Sequence, residues 1–309
     1  MRWGSKRYHS LNEELRKIFG EKVFKLSLDG HFTCPNRDGT VGTKGCLFCS
    51  EQGAGEFAAP RQWSLQAQTE QQKNLLSQKW TRGKYIAYFQ NFTNTYAPVN
   101  VLRRKYKEAL SLPDVVGLAI ATRPDCLPGD VLDLLDELNQ ETYLWVELGL
   151  QTIHEPTAKL IRRGYPLSAF EEAVGQLRNR NINAVAHLIF GLPWETDEQI
   201  LSSVKYVAHS GIQGVKLHLM HILKGTDLHI LYETEPFPLL SQEKYISLIA
   251  DAIELLPPEM VIHRMTGDGA KQLLVAPKWS GHKRAVLNGI EKELRQRDTY
   301  QGKYFQVPY

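Results

Sequence analysis

Two periodicities of apolar positions alternate along the chain. Segments 23–28, 85–90, 115–122, 143–151, 183–190 and 214–223 are continuously apolar or have a two-residue beat, and read as strands. Windows 64–80, 102–110, 129–139, 170–179, 196–209 and 241–255 carry three- to four-residue spacing, or polar helix-forming residues, and predict helices. Strands and helices in strict alternation imply parallel pairing through right-handed crossovers. The units fall short of a closed (β/α)8 barrel, so the expected architecture is an open, TIM-like partial (β/α)6 barrel over residues 1–256. A doubly wound sheet is the competing arrangement. In both, ligands gather at the carboxyl ends of the strands.

After Pro257 the rhythm breaks. Residues 257–309 hold a short apolar piece, Met260-Val261-Ile262, and a basic helix over 282–297 with Ser280 as a candidate cap. This part is expected to be an extension packed on the barrel.

Composition narrows the classes. Of 309 residues, 42% are hydrophobic, which supports a large core and sets disorder and low-complexity classes aside. No apolar run approaches the roughly 18–20 residues of a spanning helix. With a polar amino terminus, the expected setting is the cytoplasm, away from membranes. A net charge of +3 leaves a nucleic-acid partner open, because phosphate binding depends on local clusters of Lys and Arg.

Three of the four cysteines, Cys34, Cys46 and Cys49, sit in one Gly-, Asn- and Asp-rich segment directly after the first expected strand. Three thiolates suit a four-iron cluster with one iron left open, whereas structural zinc takes four ligands. Gly39, Gly42 and Gly45 allow such a loop to wrap closely around a cluster. Zinc completed by His31 or Cys126, and a Cys46/Cys49 redox pair, are the alternatives.

The spacing resembles that of the radical S-adenosylmethionine (SAM) enzymes, in the YtqA/YhcC-like group related to the radical domain of the Elongator catalytic subunit. The resemblance runs through Cys-Pro-Asn-Arg-Asp-Gly-Thr at 34–40, Cys46-Leu-Phe-Cys49, Thr122-Arg-Pro-Asp125, Glu147-Leu-Gly-Leu-Gln151, Gly191-Leu-Pro-Trp-Glu-Thr196 and His263-Arg-Met-Thr-Gly-Asp268. It implies a [4Fe-4S] cluster on Cys34, Cys46 and Cys49, SAM as the second cofactor, and reductive cleavage to a 5′-deoxyadenosyl radical fed by an external donor such as flavodoxin or ferredoxin.

The same resemblance suggests SAM contacts. Phe48 matches an aromatic resting on adenine, and Ile189 a residue packed against it. Where the methionine ammonium is received, Phe89-Gln90-Asn91-Phe92-Thr93 replaces the usual glycine pair, and Gln90 or Thr93 is the candidate to offer an acceptor oxygen. Gln151 and Arg163 match a pair contacting the nucleoside and carboxylate, and His187 a residue facing the ribose. A lone His among apolar residues is also a common core residue. Arg123 and Asp125 end the third strand, as SAM contacts or as a structural ion pair. Strand alternation sends Lys216 and His218 to one face, making them candidate catalytic or substrate contacts.

The Elongator-like group is associated with the C5 side chain of the wobble uridine, so tRNA is the expected substrate. A small metabolite, a protein side chain, or a non-catalytic zinc and RNA-binding role are the alternatives. Candidate phosphate contacts are Arg103, Arg104, Lys105 and Lys107, and Lys278, Lys283, Arg284, Lys292, Arg295 and Arg297 of the tail.

Overall fold

The computed structural model describes residues 3–53, 58–78, 82–267, 269 and 271–307. Ser10 caps the first helix, α1 (Leu11–Phe19), by accepting from the Glu13 amide. Then follow β1 (Val23–Leu28), α2 (Leu65–Ser77), β2 (Lys84–Phe89), α3 (Val99–Leu110), β3 (Val115–Thr122), α4 (Gly129–Glu141) and β4 (Tyr143–Gln151). The second half runs α5 (Glu155–Leu160), α6 (Leu167–Asn179), β5 (Asn183–Phe190), α7 (Asp197–His209), β6 (Gly214–Leu219), β7 (Ile222–Leu223), α8 (Asp227–Thr234), α9 (Gln242–Leu255), β8 (Val261–Arg264), β9 (Leu274–Ala276) and α10 (Lys283–Gln296).

Strands β1 to β6 pair in parallel in chain order and β8 adds a seventh, giving a curled, open half-barrel of the expected class. The seventh strand comes from the segment read as tail. Its four residues are too few to show a period beside the polar His263 and Arg264. Segment 214–223 divides into β6 and β7, and β7 leaves the barrel to pair antiparallel with β9. Ser280 does not cap the last helix. It lies in a 3-10 turn with its hydroxyl donating to the Pro277 carbonyl, and His282 takes the cap position without a side-chain bond. In the helix expected over 64–80, Ser64 caps α2, and Trp80 lies outside the described residues.

Period-two alternation sorts the strand side chains onto two faces. Outward residues such as Leu26, Phe89, Leu118, Val146, Leu188 and Leu217 join the helices in one large core. Val286, Ile290 and Leu294 of α10 belong to that same core with Ile249 and Ile253 of α9. Inward, Val23, Ile86, Ala119, Trp145 and Val185 form an apolar plug covered by Leu11 and Leu15 of α1. The amino-terminal end of the half-barrel is thereby closed, and the working surface lies at the carboxyl ends of the strands.

Candidate active site at the open end of the half-barrel

One cavity at these carboxyl ends is lined by Cys34, Cys46 and Cys49 together with Phe48, Gln90, Arg123, Gln151, Arg163, His187, Ile189 and His218. Residues from the cluster loop and from strands β2 to β6 therefore meet as strand-end geometry requires. Lys216 lies just behind the wall, buried beneath Tyr88 and Glu147, which do line it. Met220 and His221 both reach the cavity, because alternation stops where β6 ends.

The loop after β1 is held from both sides. Gln68 of α2 accepts from the Asp29 amide at 2.8 Å and donates to its carbonyl at 3.1 Å. The Asp29 carboxylate then accepts from the His31 amide and from Asn91 Nδ2. Asn36 donates to Cys46 Sγ at 3.5 Å and to the Arg162 carbonyl at 2.9 Å, tying the loop to the turn after α5. Gly45 is needed in the loop: at φ +75° a Cβ there would lie 2.9 Å from Arg37 Nε.

Hydrogen bonding with Cys49 pulls the Cys46 thiol down to about 7, and the same bond with burial pushes Cys49 well up. Cys126 is no ligand of this group. It is buried in a separate groove beside Pro35 and Pro124, and burial pushes its thiol up to about 12. His31 points to solvent. The donor set is thus three thiols ranged around one cavity, which fits a cluster taking one thiolate on each of three irons.

Two arginines read as cofactor contacts are committed to the protein. Arg123 forms a two-pronged pair with Asp125, at 2.9 and 2.7 Å, and donates to the carbonyls of Arg163 and Gly164. Of the two readings of this pair, the structural one accounts for its contacts. Arg163, 1% exposed, donates Nε to Tyr165 O, Nη1 to Leu150 O and Thr152 O, and Nη2 to Glu155. Four of its five N–H groups are spent there, so Arg163 secures the end of β4 and does not offer a fork to a carboxylate. What it secures is Gln151, at φ +67°, where the β4–β5 register shifts and the side chain turns into the cavity.

Sequence reading missed the layer beneath. Glu147, fully buried on β4, accepts from Trp145 Nε1 (2.9 Å), Tyr88 OH (2.7 Å), His187 Nε2 (2.9 Å) and Lys216 Nζ. Lys216 also donates to Tyr88 OH at 2.9 Å, and Lys25 Nζ stands 4.7 Å from the Tyr88 ring centre. Against its burial, Lys216, Lys25 and His187 hold the Glu147 carboxyl well below the carboxylate range. Burial, then Lys216, draws His187 down to about 4, so its imidazole is neutral. The only sequence sign of this layer was the placement of Lys25, Tyr88, Glu147, His187 and Lys216 at inward positions of their strands.

The chain matches the Radical SAM superfamily model over residues 36–207 and the Radical_SAM C-terminal domain over 212–296. It is 54% identical to the uncharacterized protein YtqA of Bacillus subtilis (strain 168), over 97% of this chain and 94% of that protein. Protein YhcC of Escherichia coli (strain K12) is 37% identical, over 92% and 91%. Elongator complex protein 3 of Homo sapiens is 26% identical over 62% of this chain and 35% of its own length. Among solved structures, the archaeal Methanocaldococcus infernus Elp3 superposes with a TM-score of 0.66 at 16% identity, covering 90% of this chain. This chain spans 64% of that one, less than two thirds of its length. With over half the chain matched to the family model and a near-full-length relative at 54% identity, the chain belongs to the radical SAM superfamily, whose members bind a [4Fe-4S] cluster and SAM.

Proposed function

We propose that this radical SAM enzyme modifies tRNA, at the C5 side chain of the wobble uridine. When bound and reduced, the cluster supplies an electron to SAM, yielding methionine and a 5′-deoxyadenosyl radical that abstracts a hydrogen atom. Cys34, Cys46 and Cys49 would hold the cluster. Gln151 would bond SAM's polar groups, with Phe48 and Ile189 packing on its adenine. Glu147 and Lys216 keep the floor beneath them ordered and closed to the amino-terminal side.

The observation carrying the substrate reading is the sequence similarity to Elongator complex protein 3 across 62% of the chain. Charge placement supports it in one of the two expected patches. On α3, Arg103 pairs with Glu137, and Lys107 with Glu137 and Glu141 of α4, so two of the four cations of this patch are held in ion pairs within the protein. In the tail, Arg297 is taken by Asp251 and Glu293, Lys278 bonds the Leu274 carbonyl and Lys283 has contacts of its own within the protein, while Arg284, Lys292 and Arg295 are exposed along α10. The deciding experiment is nucleoside profiling of tRNA from cells lacking the protein. An altered wobble-uridine species, with salt-sensitive tRNA binding that weakens on charge reversal at Lys283 and Arg284, is expected. An unchanged profile without such binding points to a metabolite or protein side chain.

A further inference from the structure

Asn36, 4% exposed, follows the first cluster cysteine closely in sequence and reaches the second in space. Its backbone carbonyl accepts from the Gly45 amide at 2.7 Å. Its side-chain Nδ2 lies 3.5 Å from Cys46 Sγ, 2.9 Å from the Arg162 carbonyl and 3.2 Å from the Arg163 carbonyl. Carbonyl oxygens only accept, so the amide must turn its nitrogen toward them, and its orientation is thereby fixed. The same nitrogen presents an N–H to the sulfur.

The turn that aims this amide is itself braced. Arg123 donates Nη1 to the Arg163 carbonyl at 3.1 Å and Nη2 to the Gly164 carbonyl at 3.2 Å, while the Arg163 side chain is anchored on Leu150, Thr152, Tyr165 and Glu155. Gly164 has φ +80°, and a Cβ there would lie 2.5 Å from Asn36 Oδ1. The cysteine loop is already tied to this turn by the Leu47 amide, which donates to the Ile161 carbonyl at 3.0 Å. Attachment alone therefore does not require two buried guanidiniums and a bare glycine around one side chain. Their common effect is to fix where the Asn36 N–H points.

Hydrogen bonds to the sulfurs are among the levers that set the reduction potential of an iron–sulfur cluster. A reduced cluster carries one more negative charge, so its thiolates accept more strongly and such a bond favours the reduced state. Burial of the donor strengthens the effect.

We propose that Asn36, aimed by the 162–164 turn, tunes the cluster: its N–H to the Cys46 thiolate raises the reduction potential and eases loading by an external one-electron donor. The proposal rests on the cluster held by Cys34, Cys46 and Cys49 and is independent of the substrate.

The test is a redox titration of the anaerobically reconstituted holoenzyme without SAM, following the electron paramagnetic resonance of the reduced cluster with iron content measured alongside. Asn36→Ala should retain iron and shift the oxidised-to-reduced equilibrium about tenfold toward the oxidised form, a midpoint about 59 mV more negative for one electron. Gly164→Ala keeps the amide but displaces it, and should shift the midpoint in the same direction. Gln68→Leu releases Asp29 on the other side of the loop, and should leave the midpoint in place. An unchanged midpoint in Asn36→Ala overturns the proposal, as does an equal shift in Gln68→Leu, which would trace the effect to a loosened loop. If Asn36→Ala loses its iron, Gly164→Ala decides: a negative shift with iron retained upholds the tuning, and an unchanged midpoint or loss of iron makes Asn36 a structural brace and overturns it.

Discussion

Lys216 on β6 and Glu147 on β4 form a buried ion pair across the intervening strand β5, at 1% and 0% side-chain exposure. The pair sits where the apolar plug ends and the cavity begins, so it sets the boundary between structure and chemistry. Removing one partner strands the other in a low dielectric. Glu147→Gln should cost about 3–5 kcal/mol in chemical denaturation, with Lys216→Met costing less because Tyr88, His187 and Trp145 still donate to the carboxylate. The double variant should be more stable than the sum of the single losses predicts. Additive losses would mean that the two groups are not energetically coupled.

Acid should destabilise the fold in a window set by His187. Its folded value of about 4 lies below the ordinary 6.5, so the unfolded chain binds a proton over that interval and the folded chain does not. Stability is then fully present above pH ~6.5 and is lost as pH falls toward 4. The loss should be at most about 3 kcal/mol from this group. His218 and His263, also drawn down first by burial, act in the same direction. Denaturation midpoints between pH 7.5 and 4 should fall less steeply in His187→Gln. An unchanged slope would assign the acid sensitivity elsewhere.

The half-barrel was legible because β/α alternation fixes parallel pairing, and the cavity because strand ends collect ligands. Cys34, Cys46 and Cys49 followed from that rule with their spacing, Gln151 from the family resemblance and His218 from strand alternation, and all five line the cavity. Helix α1 was overlooked although Ser10 with Leu11 and Leu15 marks a capped amphipathic turn. Strand β8 was hidden by its length. The ionic layer escaped for a different reason: Lys25, Tyr88, Glu147 and Lys216 are brought together by barrel curvature across strands, which local pattern does not encode. Arg163 shows the limit for single residues, since its position by the cavity was foreseen and the destination of its N–H groups was not.

Gln151 and Arg163 should therefore part company on mutation. Gln151→Ala should retain iron and fold while weakening SAM binding by roughly 1–3 kcal/mol, the scale of a lost hydrogen bond to a charged partner. Arg163→Ala abandons the Leu150 and Thr152 carbonyls and Glu155, and should lower the melting temperature before any defect in SAM affinity is seen. Calorimetric titration with SAM beside thermal melts distinguishes them. Normal stability with poor SAM binding in Arg163→Ala would restore the fork to the cofactor.

The cysteine assignment makes the sharpest demand. Cys34, Cys46 and Cys49 share the cavity wall, and each thiolate would hold one iron, so Ala at any of the three should remove bound iron or abolish reductive cleavage of SAM under anaerobic assay. Cys126→Ala should do neither, because that thiol is buried in another groove and held neutral by burial. Iron content and absorbance near ~400 nm report on the cluster, and 5′-deoxyadenosine formation reports on the cleavage. Full cleavage by Cys34→Ala would leave only the Cys46 and Cys49 pair essential, which is the pattern of a dithiol centre and not of a three-thiolate cluster.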